Sequence, residues 1–450
     1  MLRTRGVVMS KKRAAEEFDV IVVGAGAAGL AAAAELAGNG LAVCVVDARE
    51  RAGGRILTVQ DANGLPPLEF GAEFIHGESP ATLKWLRDSG RAMLDAPQTR
   101  WIARRGRLQL ADVPFAQMKR SLSRASVPRK DVAFADFLER RSKTIPAAVR
   151  ALARMTVEGF DAADATRVSA REILEEWGGD SAADAPTFRP LYGYASLVEA
   201  LSDAVRRNGA TSRLGTVVRE IKWRAGSVTL HGVRHAEPLR FRAKRAVITV
   251  PLGVLKLPVA APSSIRFEPA LSRKEAASRL LGVGPVVKLI LHFKRAFWDE
   301  IEDAKFRQAA FFHAPGCPFP TFWTTLPFRT TRLIAWAGGP NASWLVDEHP
   351  SQVIRLALAS LRSTFGSKLD YESELEGVRW HDWQRDPWAC GAYSYVKVAG
   401  ASARKTLGAA VDKTLYFAGE ATDTEGESGS VGGALQSGAR AARMILDHSS

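Results

Sequence analysis

A glycine-rich turn near the start of the chain has the residue types and spacing of a site that binds a dinucleotide. Gly24, Gly26 and Gly29 follow an apolar run, and Ala27 lies between them. The first glycine permits a tight turn, the second lets a pyrophosphate approach the backbone, and the third lets helix and strand pack closely. Asp47 follows Gly29 by 18 residues, close to the ~20 at which a ribose-binding acid is expected.

A strand, a helix and a second parallel strand must position these residues. The unbroken apolar run at 20–23 predicts a strand that is buried on both faces. The alanine-rich stretch after Gly29 predicts the helix, and the run at 41–46 predicts the second strand. The helix N-terminus offers free N–H groups and the positive end of its dipole to phosphate groups. The segment therefore predicts a dinucleotide site.

A second glycine cluster, Gly53 and Gly54 followed by Arg55, indicates which dinucleotide binds. Adjacent glycines suit another close approach of backbone to ligand, and the arginine can bind a phosphate through two parallel hydrogen bonds. The run from Asp47 through Arg49 to Arg55 resembles the FAD-binding fingerprint of the flavin amine oxidase superfamily, acid-Ala-Arg-x-Arg-x-Gly-Gly-Arg. The resemblance implies FAD, with aspartate where the family usually has glutamate.

Composition and charge limit the class of protein. A chain of 450 residues with 46% hydrophobic residues can hold two or three globular domains. Its cysteines, Cys44, Cys317 and Cys390, indicate neither a disulfide framework nor a metal site and fit a reducing compartment, so we expect a cytoplasmic protein. The net charge of +14 is spread along the chain, mostly as arginine, which favours a solvated basic surface over a nucleic-acid site.

The sequence predicts neither a targeting peptide nor a membrane segment. Residues 1–17 carry positive charge without the apolar stretch of a signal peptide, and we expect them to be flexible. No run reaches the ~20 apolar residues that cross a bilayer.

A segment of small and apolar residues at 69–77 suits backbone laid against a flat aromatic ligand. In the amine oxidase family this position passes along the flavin ring, and Gly-Ala-x-aromatic-Ile-His-Gly is similar to spermine and acetylpolyamine oxidases. The resemblance implies that Gly71, Ala72 and Glu73 contact the cofactor and that His76 lies near the substrate amine. A buried histidine bonded to backbone is the alternative.

Lys288 lies inside the apolar run at 284–293. Burying a lysine costs free energy unless it is paired or wet. From the residues alone, we expect an edge strand with Lys288 facing solvent. The run and the aromatic residues that end it at Trp298 resemble the amine oxidase strand whose lysine reaches a water at flavin N5, which implies a catalytic Lys288.

The aromatic segment 379–396 resembles the corresponding part of flavin histone-lysine demethylases and polyamine oxidases. The resemblance implies that Trp388 and Tyr393 contact the substrate, with Tyr393 facing the flavin. Monoamine oxidases have a flavin-linked cysteine near the position of Ala392, so its absence implies non-covalent FAD. Cys390 is two residues away and would share a face with Ala392 in a continuous strand.

The last segment repeats the opening order of strand, acid, glycine loop and helix. Its helix dipole would face the flavin N1–C2=O locus. The resemblance implies that Glu420 lies near the ribityl-pyrophosphate, that Val431 contacts the cofactor, and that Ser430 stands where many members have a second aromatic. Val218 resembles the valine whose backbone bonds the adenine, although any buried strand valine has the same appearance.

The resemblance covers 18–445 and implies an α/β fold. A Rossmann-like FAD-binding domain of the glutathione-reductase type is expected to alternate with a discontinuous α+β substrate-binding domain. The predicted FAD domain uses 18–95, 190–262 and 397–450, and the substrate domain uses 96–189 and 263–396. Amphipathic helices at 115–177 are expected to wall one side of the pocket.

The implied function is that of an FAD-dependent amine oxidase acting on a small-molecule amine and O2. A hydride equivalent passes from the amine α-carbon to flavin N5, water hydrolyses the imine to an aldehyde and an amine, and O2 reoxidises the flavin to give H2O2. A polyamine is the favoured substrate because of the His76 segment, and a monoamine is second. An L-amino acid is third, because 72–74 offers no arginine for a carboxylate.

Other functions stay open at this point. A histone demethylase is not expected, because the sequence shows neither the helical tower insertion nor the accessory N-terminal domain of those enzymes. A flavin desaturase or isomerase acting on an apolar substrate is the alternative from another class, against which Lys288 and the aromatic segment argue. An FAD-binding protein without enzymatic activity is a third.

Overall fold

The computed structural model of the chain describes residues 15–61, 64, 66–104, 106–178 and 186–448. Most of the segment predicted to be flexible, residues 1–14, lies outside these ranges.

The strands of the described chain form two large sheets and three small ones. They are β1 (Glu16–Val23), β2 (Val43–Val46), β3 (Thr58–Val59), β4 (Leu68–Glu69), β5 (Ile75–His76), β6 (Met93–Asp95), β7 (Arg100–Arg104), β8 (Arg107–Leu110), β9 (Thr187–Pro190), β10 (Thr211–Arg213), β11 (Val217–Arg224), β12 (Ser227–Arg234), β13 (Glu237–Ile248), β14 (Arg266–Glu268), β15 (Leu281–Gly284), β16 (Val286–Phe293), β17 (Phe311–His313), β18 (Thr321–Thr324), β19 (Arg332–Gly338), β20 (Leu375–Arg379), β21 (Tyr393–Val396) and β22 (Leu415–Phe417).

The helices lie between these strands and on the faces of the sheets. They are α1 (Ala27–Gly38), α2 (Pro80–Asp88), α3 (Asp112–Ser123), α4 (Phe134–Arg140), α5 (Ala147–Gly159), α6 (Ala170–Gly178), α7 (Ala195–Arg207), α8 (Leu252–Leu255), α9 (Ser272–Arg279), α10 (Ile301–Ala304), α11 (Pro340–Leu345), α12 (Pro350–Phe365), α13 (Tyr371–Glu374), α14 (Ala403–Gly408) and α15 (Val431–Asp447). Within the described ranges, no helix is long and apolar enough to cross a membrane.

The larger sheet has eight strands in the order β10-β2-β1-β13-β12-β11-β14, with β22 also paired to β13. β1 runs parallel to both β2 and β13, and β2 is buried at every position. This is the strand–helix–strand unit that the first glycine turn predicted. β1 begins at Glu16, so the last residues of the predicted flexible N-terminus pair with β13.

Helices α1 and α15 pack closely because small residues lie between them. A Cβ added at Gly438 of α15 would lie 2.2 Å from the carbonyl oxygen of Ala28 in α1. A Cβ at Gly29 would lie 1.9 Å from the carbonyl oxygen of Gly24. Glycine at both positions therefore lets the two helices and the turn before α1 come into contact.

The second sheet has seven strands in the order β20-β16-β19-β18-β17-β7-β8. Lys288 lies in β16, which is hydrogen-bonded to β19 on one side and β20 on the other. β16 is not an edge strand and the lysine side chain is 4% exposed. The expectation from the residues alone, of a solvent-facing lysine on an edge strand, was wrong.

Pro285 divides the predicted strand at 284–293 into two. β15 pairs with β21, whereas β16 belongs to the seven-stranded sheet. A proline has no N–H to continue a ladder of hydrogen bonds, so the chain leaves one sheet and enters the other at this residue.

The predicted helical segment at 115–177 is confirmed as α3 to α6. Their apolar faces form a separate cluster around Phe134, Leu152 and Ile173. Tyr395 of β21 packs into the same cluster. The four helices are therefore attached to the aromatic segment at 379–396.

The contact between α1 and α15 gives a stability prediction. Gly438→Ala should lower the free energy of unfolding by about 1–2 kcal/mol, because the clash with Ala28 outweighs the gain in helix propensity. Gly159→Ala is the matched control, since it is also helical and a Cβ there meets nothing within 4 Å. Urea denaturation measures both, and equal stabilities for the two variants would refute the packing argument.

Candidate active site

The two glycine clusters lie against each other at the N-terminus of α1. The N–H of Gly53 donates to the carbonyl oxygen of Ala25 at 2.8 Å, and Gly26 and Gly53 form a parallel bridge. A Cβ at Gly54 would lie 3.5 Å from the Cα of Gly26. The structure therefore brings the predicted cofactor residues 24–29 and 53–54 together.

Gly26 tests whether this place fits a dinucleotide. Its φ of −79° suits any residue, and a Cβ there would meet only the carbonyl oxygen of Gly53, at 4.0 Å. Contacts within the protein do not require glycine here, whereas Gly24 has φ +113° and a Cβ there would clash with Thr249. The first turn of α1 has no acid, and its first N–H groups lack helical partners. The open space beside Gly26 thus fits a pyrophosphate.

Asp47 lies at the same turn. One carboxylate oxygen accepts from the N–H of Ala25 at 2.7 Å and the other from the N–H of Arg49 at 2.8 Å. Burial raises the pKa of Asp47 above its ordinary value, although these hydrogen bonds oppose the shift. Each oxygen keeps a second lone pair that can accept from a ribose hydroxyl.

The arginines of the fingerprint join the glycine clusters to the C-terminal half of the chain. Arg49 forms a buried ion pair with Asp386 at 2.7 Å. Arg55 pairs with Glu420 at 2.9 Å and also donates to the carbonyl oxygen of Ala392. The guanidinium of Arg55 therefore faces a carboxylate in this structure, and its predicted contact with a phosphate would use its other N–H donors.

Arg51 is a residue of this region that the sequence analysis missed. Its guanidinium donates to the carbonyl oxygens of Gly54 at 2.8 Å and Ile56 at 2.9 Å. It therefore holds the second glycine turn in shape. The available signal in the sequence was that Arg51 is one of the three arginines of the fingerprint, with Arg49 and Arg55.

Glu420 is buried among donors. Its carboxylate accepts from the hydroxyl of Ser394 at 2.7 Å and pairs with Arg55. Burial alone would raise the pKa of Glu420, but Arg55 and Arg404 outweigh it, so the pKa lies below its ordinary value. Glu420 is thus ionised at neutral pH and fixed next to Arg55.

The carboxylate of Glu73 is the centre of a buried charged cluster. Nζ of Lys288 lies 2.6 Å from Oε2 of Glu73, Arg189 pairs with Oε1, and Nε1 of Trp323 donates to Oε1 at 3.0 Å. Burial would raise the pKa of Glu73, but Lys288 and Arg189 bring it down to about 2. Glu73 is therefore ionised and holds both cations.

Lys288 is also bound to the segment that is predicted to run along the flavin. Nζ donates to the carbonyl oxygen of Gly71 at 3.2 Å, and it lies 5.6 Å from the ring centroid of Trp323. The structure thus gathers Lys288, Gly71 and Glu73, with the half-buried Ala72 between the last two. Val218 lies elsewhere, buried in β11 of the eight-stranded sheet and opposite Gly232.

Arg189 corrects one premise of the sequence analysis. The absence of an arginine at 72–74 argued against a carboxylate substrate. In the structure, Arg189 of β9 reaches this place, with its guanidinium carbon 4.1 Å from the ring centroid of Phe74. Glu73 neutralises it. The arginine was missed because it lies 116 residues from Glu73 in the chain.

The predicted substrate residues His76 and Tyr393 meet at Phe160. The rings of His76 and Phe160 are 5.3 Å apart in an edge-on arrangement, and the hydroxyl of Tyr393 donates to the carbonyl oxygen of Phe160 at 2.5 Å. Gly429, next to the predicted Ser430, lies beside the ring of Tyr393. We call this place the aromatic cleft, defined by His76, Phe160 and Tyr393.

His76 has an accessible side chain in a crowded setting. The protein atoms that surround the ring desolvate it although its surface is accessible, and this effect, together with the charges of Arg100 and Arg189, lowers the pKa of His76 to about 4. His76 is therefore neutral and can accept a hydrogen bond from an ammonium group. The alternative of a fully buried histidine is not what the structure shows.

Phe160 was not recognised in the sequence. It follows α5, and its side chain is 53% exposed although it is large and apolar. Nε1 of Trp336 donates to the adjacent carbonyl oxygen of Gly159 at 2.7 Å. Trp336 lies directly across from Lys288 in the strand register, and this register could not be read from the sequence.

Ser430, which stands where many family members have a second aromatic, is the N-cap residue of α15. Its hydroxyl accepts from the N–H of Gly433 at 3.1 Å and donates to the carbonyl oxygen of Glu427 at 2.6 Å. A serine is among the preferred residues at this position because it satisfies a free helix donor. Val431 is the first residue of α15.

Trp388 and Cys390 lie before β21 begins. The backbone N–H of Trp388 donates to Asp386 at 2.9 Å. Cys390 has φ +53° and Gly391 φ +128°, so this stretch is irregular. The strand alternation that placed Cys390 on the face of Ala392 does not hold, because β21 starts only at Tyr393.

Two acids of the helical segment lie close to the aromatic cleft. Oδ2 of Asp161 is buried and has no hydrogen-bond partner within the described ranges. Burial and then the charge of Glu176 raise the pKa of Asp161 well above its ordinary value. Burial, followed by Asp161 and Glu176, also raises the pKa of Tyr393. An acid without a cationic partner thus lies close to the cleft.

Among the residues that the structure describes, no group of three histidine, cysteine, aspartate or glutamate side chains is placed to hold a metal ion.

Comparison with known proteins identifies relatives over most of the chain. The family model described as flavin containing amine oxidoreductase matches residues 27–446. Lysine-specific histone demethylase 2 of Homo sapiens is 27% identical over 95% of this chain and 53% of its own length. The chain therefore spans about half the length of that relative. Polyamine oxidase 4 of Oryza sativa subsp. japonica is 27% identical over 98% of this chain and 91% of its own length.

A solved structure has the same fold. Wild-type putrescine oxidase bound to putrescine matches with a TM-score of 0.79 and 21% identity, over 96% of this chain and 100% of that one. The predicted α/β fold with a Rossmann-like dinucleotide unit is therefore confirmed.

The unpartnered acid of the cleft gives a prediction for stability against pH. Because the folded-state pKa of Asp161 is raised, its contribution is present below its unfolded pKa and is lost as pH rises through the folded pKa. Asp161→Asn should therefore be more stable than the original protein at pH 8, by roughly 1 kcal/mol or more. The two should converge near pH 4, which is about the unfolded pKa.

Urea denaturation of the ligand-free proteins at both pH values measures this difference. Asp347→Asn, at an exposed position, is the control and should show little change at either pH. Equal stability of Asp161→Asn and the original protein at pH 8 would contradict the assignment of a buried, uncompensated carboxyl.

Proposed function

The chain belongs to the family of flavin containing amine oxidoreductases, and we propose that it is an FAD-dependent oxidase of small-molecule amines. The observation that carries the proposal is the placement of buried Lys288 against Gly71, in the segment that runs along the flavin in this family. The aromatic cleft lies near the same segment, because the ring of Phe74 is 5.6 Å from that of His76. A cofactor site and an amine site are thus next to each other.

We propose that FAD binds without a covalent bond. The glycine turns 24–29 and 53–54 would hold the pyrophosphate, Asp47 the ribose, and the N-terminus of α15 the flavin ring. Burial, and to a smaller extent the negative charge of Asp386, raises the pKa of the Cys390 thiol. The thiol donates to the carbonyl oxygen of Pro387 at 3.5 Å. A protonated thiol in an irregular stretch is a poor nucleophile for attack on a flavin.

The bound FAD supplies an acceptor for the hydride equivalent of the amine α-carbon, and O2 then takes up the electrons as H2O2. The side chains orient the reactants and exclude water. Lys288 would hold a water molecule at the flavin, and Tyr393 and Phe160 would guide the amine. Neutral His76 would accept a hydrogen bond from the substrate nitrogen. A water molecule then hydrolyses the imine to an aldehyde and an amine.

A diamine or polyamine is the substrate class that we propose. The net charge of +14 would repel such cations, so a local acid is needed. Asp161 supplies a carboxyl without a partner, and a second ammonium group next to it would lower its pKa and pair with its carboxylate. The rings of the cleft also favour a cation through their faces. The similarity to a polyamine oxidase supports this choice.

We also propose that the two domains follow the two large sheets. The segments 18–95, 190–262 and 397–450 would form the FAD domain on the eight-stranded sheet. The segments 96–189 and 263–396 would form the substrate domain on the seven-stranded sheet and the helices α3 to α6. β14 pairs with β11 in the larger sheet, so the boundary near residue 262 would fall a few residues later.

The cofactor proposal predicts a separation of binding from stability. Gly26→Ala should weaken FAD binding by about tenfold or more, because a methyl group would occupy the space for the pyrophosphate. The apoprotein should lose about 1 kcal/mol or less. Gly377→Ala is the control, since a Cβ there meets nothing within 4 Å and the residue lies in β20. Titration of apoprotein into FAD, followed by flavin fluorescence, measures the affinity. Equal affinities of the two variants would contradict the assignment.

The substrate proposal predicts which amine reduces the flavin. Under anaerobic conditions, putrescine or spermine should bleach the flavin absorbance faster than benzylamine or an amino acid does. Asp161→Asn should weaken the binding of putrescine about tenfold relative to that of benzylamine, because only the diamine places a second ammonium group at this carboxylate. Asp347→Asn should leave the ratio unchanged.

Each outcome of this panel has a distinct meaning. Bleaching by benzylamine alone would support the proposed amine oxidase activity and contradict the proposal of a polyamine substrate. Bleaching by no amine, with FAD bound, would contradict the proposed function and favour the desaturase or isomerase alternative.

A further inference from the structure

Two buried cations lie beside the aromatic cleft, and a single carboxylate stands between them. Lys288 and Arg189 both pair with Glu73, and their side chains are 4% and 9% exposed. The cluster of these three side chains, which we call the Glu73 cluster, therefore has a net charge of about +1. Without the carboxylate it would carry about +2.

The Glu73 cluster is close enough to the aromatic cleft to influence a charged ligand there. Arg189 lies over Phe74, and the ring of Phe74 is 5.6 Å from that of His76. The charges of Arg189 and Glu73 act on the imidazole of His76 with opposite signs. In an apolar setting, charges at such distances interact by several times the thermal energy.

Arg189 would bind an anion if Glu73 did not engage it. A guanidinium binds carboxylates through parallel hydrogen bonds, and Nε of Arg189 is buried without a hydrogen-bond partner among the described residues. Glu73 occupies the other edge of the guanidinium. The carboxylate of Glu73 thus occupies the side of the Arg189 guanidinium that would otherwise attract a carboxylate ligand.

We propose that Glu73 is a specificity-determining residue, whose carboxylate cancels one of the two cations beside the cleft and so lets the cleft accept a cationic amine and reject a carboxylate. This inference rests on the amine-binding cleft of the proposed function. It adds that the choice between an amine and an acid is made by the net charge of the Glu73 cluster.

A series of variants changes this net charge in steps. Glu73→Gln gives about +2, the original protein about +1, and Arg189→Gln about 0. The double variant Glu73→Gln/Arg189→Gln returns the cluster to about +1. Glutamine is close in shape to glutamate and keeps an acceptor for Nε1 of Trp323.

Benzylammonium and benzoate are matched probes, since they have similar shapes and opposite charges. Anaerobic isothermal titration calorimetry at pH 7 measures the affinity of each probe for the flavin-loaded proteins, whose flavin is reduced beforehand so that benzylamine cannot be oxidised. We expect the preference for benzoate over benzylammonium to rise about tenfold in Glu73→Gln and to fall about tenfold in Arg189→Gln. The double variant should return to the preference of the original protein.

The control is Glu374→Gln, which removes a carboxylate from an ion pair with Arg295 near the far end of β16. Its probe preference should equal that of the original protein. If Glu73→Gln does not fold, Arg189→Gln and the double variant still decide the question, because they are predicted to differ about tenfold from each other. A preference that does not follow the charge of the Glu73 cluster would overturn the proposal.

These titrations do not depend on turnover. An original protein that oxidises no amine, with probe affinities that still follow the cluster charge, would contradict the proposed function and support the role of Glu73. Rapid oxidation of a diamine, with probe affinities independent of the charge, would do the reverse.

Discussion

The buried carboxylate of Glu73 is the interaction on which the candidate site depends. A charge in the interior of a protein is costly unless it is paired and hydrogen-bonded. Here Lys288 and Arg189 form ion pairs with one carboxylate, and Trp323 donates a hydrogen bond to it. They come from β16, β9 and β18, so this one group fixes three strands to the segment at 71–76. Loss of the carboxylate would leave two buried cations facing each other.

Ion pairs also connect the predicted cofactor-binding residues to the C-terminal part of the chain. Arg49 pairs with Asp386, and Arg55 pairs with Glu420. In both pairs the arginine belongs to the fingerprint near the start of the chain and the acid to its last quarter. The fingerprint segment at 47–55, the aromatic segment and the stretch around Glu420 are therefore held in a fixed relation before any ligand binds. Such preorganisation reduces the cost of ordering the site during binding and reaction.

Local patterns in the sequence predicted the parts of the site that local chemistry determines. The glycine turn at 24–29, its strands and its helix were predicted correctly, because a side chain at Gly24 or Gly29 would clash with nearby atoms of the chain. What failed depended on distant contacts. Lys288 was expected on an edge strand because its partner Glu73 could not be identified, and Phe160 gave no signal at all. The individual roles of the predicted site residues stay predictions.

A crystal structure of the flavin-loaded protein with a bound diamine tests the central claim most directly. The account predicts the pyrophosphate at Gly26, the flavin ring along 71–73 on the side of Lys288, and the diamine between Tyr393 and His76 with its second ammonium at Asp161. A flavin bound away from Lys288, or a diamine whose second ammonium lies far from Asp161, would contradict it.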